Sequence, residues 1–105
     1  METDESTAES NYSTLMTLTE GMGGNLTLKN CELKDYYIFE IAAQNKVTMD
    51  GGNLHAYYNV IDTLFGTLHI VDASVMVEDN DVVSYNYGRF LIDNGEFTVR
   101  DALID

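Results

Sequence analysis

At 105 residues the chain has single-domain size, and a hydrophobic fraction of 45% is enough to build a core. Its formal charge of −13, from 18 acidic against 5 basic residues, repels nucleic-acid phosphate and anionic lipid, so neither is an expected partner. The single cysteine, Cys31, excludes an intrachain disulfide, and no apolar stretch approaches membrane-spanning length. In chain order, residues 1–11 form an acidic segment with little to bury, expected to be a flexible leader. They lack the basic start and apolar run of a secretory signal. Residues 12–105 are expected to be one domain.

That domain is repetitive. Segments 26–33, 47–54, 68–75 and 90–97 align without gaps, their starts 21, 21 and 22 residues apart. Each has apolar residues at its first, third and last positions, a turn-former at the fifth and a small residue at the sixth. In the first copy Leu26 and Leu28 are two apart and share one face of a strand. Cys31 and Leu33 are again two apart but offset by three from Leu28, so the chain must bend between the pairs. The bend position holds Asn30, Gly51, Asp72 and Asn94, residue types that accept a left-handed backbone at low cost. Just inside it sit Cys31, Gly52, Ala73 and Gly95, small enough for the corner backbone to approach the core. Each unit is therefore predicted to be a strand, a one-residue left-handed corner and a second strand. Val77 and Val99 continue the inward alternation, Ala56 is small, and Asp35 breaks it.

A third strand is expected at Ile38–Ile41, Val60-Ile61, Val82-Val83 and Leu103-Ile104, with Gly24, Gly66 and Gly88 as turn punctuation before the next unit. Upstream, Tyr12 and Leu18 stand 21 residues before Leu33 and Phe39, so residues 12–23 are expected to form a partial first rung. Neither strand of a unit buries its apolar row alone, so copies must stack in parallel about 4.8 Å apart. The absence of proline suits a chain made of such ladders. The prediction is an all-β solenoid with 21–22-residue rungs, four full rungs and one partial.

Segments such as Gly66-Thr-Leu-His-Ile-Val-Asp-Ala-Ser-Val-Met-Val77 and Gly88-Arg-Phe-Leu-Ile-Asp-Asn-Gly-Glu-Phe-Thr-Val99 resemble rungs of the right-handed parallel β-helix family. This is the coil of pectate-lyase-like proteins and of repetitive bacterial surface proteins. The Asn/Asp/Gly column is similar to that family's asparagine ladder. The resemblance covers roughly residues 24–105 and implies a fold, not an activity. The spacing of Leu26, Leu28, Cys31 and Leu33 also fits a leucine-rich repeat, but Gly52, Ala73 and Gly95 in the same column cannot supply that repeat's side-chain ladder. Hexapeptide left-handed coils need a six-residue sub-period, which is missing.

Catalytic chemistry is poorly represented. Family lyases use calcium-binding aspartates with an arginine base, and Arg89 and Arg100, the only arginines, stand beside no such cluster. Asp72 and Asp93 form a conceivable carboxylate pair, but the corner already explains Asp72. Glu78-Asp79-Asn80-Asp81 offers clustered oxygens to calcium yet lacks the glycine and distal glutamate of an EF-hand loop, so a solvated turn is the favoured reading. His55 and His69 are too dispersed for a zinc site and read as surface residues. Cys31 reads as a small buried residue. No metal or other cofactor is expected. Asn11-Tyr12-Ser13 and Asn25-Leu26-Thr27 match the glycosylation sequon, which matters only in a secreted eukaryotic protein.

One surface feature stands out. Tyr36-Tyr37 and Tyr57-Tyr58 are 21 residues apart, which stacks them on adjacent rungs, with Tyr36 and Tyr57 predicted to face outward. Such a ladder beside acidic and amide groups is a candidate sugar or protein contact, although aromatic pairs also stabilise sheets on their own. The expectation is a non-enzymatic extracellular or cell-surface module for adhesion, glycan or protein binding, or rigid spacing. The alternative is a fragment of a polysaccharide-acting enzyme or phage tailspike with its catalytic groups elsewhere. Uncapped rungs are expected to leave strand edges open, favouring end-to-end self-association or continuation in a longer repeat protein.

Overall fold

The computed structural model describes residues 14–19 and 23–104. The predicted leader and Tyr12 lie outside them. Among the described residues there are nine strands and no helix: β1 (Thr14–Leu18), β2 (Asn25–Lys29), β3 (Glu32–Ile41), β4 (Lys46–Asp50), β5 (Asn53–Asn59), β6 (Ile61–Leu64), β7 (Thr67–Val77), β8 (Val83–Asn86) and β9 (Arg89–Val99). Every pairing between them is parallel, and the strands coil as a β-solenoid of about four turns.

Three faces follow from the pairings. On the first, β2, β4 and the first halves of β7 and β9 stack so that Leu26, Val47, Leu68 and Phe90 form one inward column. On the second, the start of β3, then β5 and the second halves of β7 and β9 align Leu33, Leu54, Val75 and Phe97. The third face runs from β1 through the end of β3 to β6 and β8, and closes on Ile104, which bridges to Val83. The middle turns are driest: Val47, Met49, Leu54, Leu68, Ile70 and Val75 are fully buried, whereas Leu26, Leu33, Phe90 and Phe97 are half-buried. A side chain in a middle turn has a covering neighbour on both sides along the axis. Among the described residues, one in an outer turn has it on one side only.

The corner residues adopt the left-handed backbone expected of them, with φ of 52° at Asn30, 76° at Gly51, 50° at Asp72 and 69° at Asn94. Hydrogen bonds cross the corner from turn to turn: the Asn30 N–H donates to the Asp50 carbonyl at 3.0 Å and the Gly51 N–H to Val71 at 2.7 Å. The second turn doubles the requirement, because Gly52 also has positive φ, at 85°.

Two sequence expectations change in detail. Asp35 breaks the hydropathy pattern but not the geometry: it is buried and in register with Ala56, and its Oδ1 accepts the Tyr36 N–H at 2.7 Å. The first partial turn is present, but Phe39 pairs with Met16, and Leu18 with Ile41, so the step there is 23 residues instead of 21. Ile41 pairs with Leu64 across the same interval. For this second step the cause is a bulge in the β3–β5 pairing between Asp35 and Tyr37, after which Ile38 and Phe39 both donate to the Val60 carbonyl. The second turn thus spends extra residues entering the third face, while the first spends them leaving it, in the turn Ala42–Asn45. The two balance, and the first face keeps its interval.

Asn45 closes that first turn. Buried, it accepts the Gly24 N–H on Oδ1 at 2.9 Å and donates from Nδ2 to the Thr19 carbonyl at 2.9 Å. Gly66 and Gly88 occupy the equivalent place in the next turns, continuing the ladder Lys46 N–H to Gly24, Thr67 N–H to Asn45 and Arg89 N–H to Gly66. At Gly66 a β-carbon would sit 2.5 Å from both the Ala42 and Asn45 carbonyl oxygens, which explains the glycine.

Candidate functional site

The tyrosines singled out by their spacing do meet. Tyr36 stacks on Tyr57 at 5.5 Å and on Tyr58 at 5.4 Å, and Tyr37 meets Tyr36 and Tyr58 edge-on at 4.8 and 6.0 Å. They do not form the outward ladder expected. Tyr36 is only 6% exposed and the other three are half-buried. The bulge that follows Asp35 interrupts the alternation on which the outward assignment rested and slips the register, so that Tyr37 pairs with Asn59. The four rings knit the corner between the second and third faces, and Tyr37 also lines the groove on the third face.

The other polar candidates are also tied into the coil. His55 bonds Glu78 of the next turn, and His69 bonds Asp93 of the next turn at 2.6 Å. Asp81 is buried, not solvated as the turn reading had it, and accepts the Ala102 N–H at 2.9 Å. Its carbonyl oxygen accepts from Asn59 Nδ2 at 2.7 Å, and Ser84 joins the same network at 2.9 Å from Asn59. Glu78–Asp81 is therefore split between a histidine pair and a buried corner. Among the described residues no three His, Cys, Asp or Glu side chains gather as a metal site requires. Cys31 is half-buried, its Sγ donating to the Lys29 carbonyl at 3.4 Å. Asp72 and Asp93 both lie in β7–β9 around the corner, with Asp72 on the left-handed position itself.

The exposed aromatic surface lies on the third face. Phe65 and Tyr87 stack with centroids 5.5 Å apart and planes at 15°, yet remain 54% and 69% exposed. Tyr85, two residues before Tyr87, is 57% exposed. Equivalent hydrogen bonds (Ala42 N–H to Leu18, Phe65 N–H to Ile41, Tyr87 N–H to Leu64) place Thr19, Ala42, Phe65 and Tyr87 in one outward column. Beside it, Thr17 is in register with Glu40 and Thr63 with Tyr85. The face is thus graded: hydroxyls and carboxylates over the early turns, aromatic rings over the later ones.

Where the two meet, an open groove of about 520 Å³ runs between β1 and β6. Thr17, Thr19, Glu40, Asp62, Thr63 and Phe65 are among its lining, and no lysine, arginine or histidine is. Its size falls in the range of small-molecule sites, roughly 300–1,000 Å³. The chemistry suits a hydroxylated ring: threonine and carboxylate oxygens to exchange hydrogen bonds, an aromatic face for the apolar side. The sequence carries a signal for this surface in the dipeptides Phe65-Gly66 and Tyr87-Gly88, 22 residues apart. The glycine was visible as punctuation, and the aromatic before it is equally periodic. No protein-family model, no curated protein and no solved structure matches this chain.

Proposed function

We propose that this chain is a non-enzymatic extracellular or cell-surface module that binds a glycan on its third face and holds it on a stiff coil. A right-handed coil of the pectate-lyase-like kind belongs to the same proposal and rests on the left-handed corner position at Asn30, Gly51, Asp72 and Asn94. The observation that carries the binding reading is the Phe65–Tyr87 pair, two large rings kept in the open where a chain with a dry core had no packing need for them. A glycan array tests it. The intact chain is expected to retain one class of oligosaccharide without cleaving it, and a Phe65→Ala/Tyr87→Ala variant is expected to bind at least about tenfold more weakly. Because both rings are exposed, that variant is expected to unfold within about 1.5 kcal/mol of the parent. No retention of any glycan, or bond cleavage by this chain alone, overturns the reading.

The partner proposed in addition is a second copy. The outer edge of β9 carries no strand among the described residues, and Ile92 is exposed on its inward side. Lys29 and Asp93 stand at opposite ends of one column, so stacking β9 on the β2 edge of another molecule pairs opposite charges. Light scattering is expected to show mass rising with concentration, and a strictly monomeric species at millimolar concentration removes this partner.

A further inference from the structure

The groove's lining narrows the ligand, an inference that rests on the glycan reading above. We infer that the preferred glycan is cationic, a chain of sugars carrying free amino groups, with the ammonium held by Glu40 and Asp62. Both carboxylates line the groove with Thr17, Thr19, Thr63 and Phe65. Both are exposed and so within reach of a ligand. Asp62 is already oriented, its Oδ2 accepting the Thr63 hydroxyl at 3.2 Å. No basic side chain lies in the lining to neutralise them; Lys46 and Arg89 begin strands of the first face. The field of the whole molecule, at −13, has the same sign. A uronate or sulfated chain would carry its charge into this field and against two carboxylates. An ammonium gains a charge-assisted hydrogen bond from each, and it also suits the face of a neighbouring aromatic ring.

The test compares three oligosaccharides of equal length: glucosamine, N-acetylglucosamine and galacturonate oligomers, titrated calorimetrically into the full chain. The glucosamine oligomer is expected to bind about tenfold more tightly than its acetylated counterpart, with the advantage shrinking as salt rises. Galacturonate is expected to bind most weakly. Glu40→Gln/Asp62→Asn is expected to remove the preference for the free-amine form, whereas Phe65→Ala/Tyr87→Ala is expected to weaken both forms and keep that preference. Equal affinity for the acetylated and free-amine forms, or preference for galacturonate, overturns the cationic assignment and leaves glycan binding standing. Failure of all three, with an empty array, removes both.

Discussion

Gly52→Ala is expected to abolish cooperative folding, or to cost about 4 kcal/mol or more where a transition survives. The reason lies in two observations at one backbone position. Gly52 sits at φ 85°, and a β-carbon there would lie 2.6 Å from the Cys31 nitrogen while overlapping the Cys31 carbonyl oxygen. Those are main-chain atoms of the preceding turn, held by the Asn53 N–H donating to that same Cys31 carbonyl at 2.8 Å, so they cannot withdraw without breaking the ladder. The adjacent residue is the control. Gly51 also has positive φ, but its added β-carbon meets the Asn30 side chain, which can turn away. Asn30, Asp72 and Asn94 occupy the same place with side chains of their own. Gly51→Asn is therefore expected to cost no more than about 1 kcal/mol by urea denaturation. If Gly52→Ala unfolds at the same urea concentration as the parent, the corner is not packed as described.

Leu68→Ala is expected to destabilise by about 3 kcal/mol, against roughly 1–2 kcal/mol for Leu26→Ala in the same column. The two leucines are chemically identical and two turns apart. Leu68 lies between Val47 and Phe90 and is fully buried, whereas Leu26 has its covering turn on one side and is half-buried. The difference measures what stacking contributes, because each turn is stabilised chiefly by its neighbours. Equal costs in paired urea titrations would mean that burial does not fall off along the axis. The cavity left at Leu68 is also expected to loosen Ile70 and Val75, buried in the same core, in hydrogen exchange.

The first two faces and their corner were legible because their information is periodic. Alternation fixes which side of each strand is buried, and an Asn, Asp or Gly at constant spacing fixes where the chain bends. The third face was legible only as apolar patches. Its strands enter and leave through segments of unequal length, so Ile41 and Leu64 stand 23 residues apart while Val47 and Leu68 stand 21 apart. A bulge does not show in hydropathy, and that is why the outward assignment of Tyr36 failed. Buried polar positions were missed for a related reason. Asn45, Asn59 and Asp81 look like ordinary loop residues until the adjacent turn supplies the main-chain groups they bond. The Phe65–Tyr87 surface was within reach of the sequence, since both aromatics precede a repeat glycine.

The unbroken pairing of β2, β4, β7 and β9 on the first face has a consequence for how such a molecule changes size. Excising residues 46–66 would join Asn45 to Thr67, which already lies in register with Lys46, and every remaining side chain would keep its side of the coil. Duplicating the same stretch would insert a storey and add one ring to the aromatic column. Height and valency then grow together in increments of about 4.8 Å, a ruler whose gradations are whole turns.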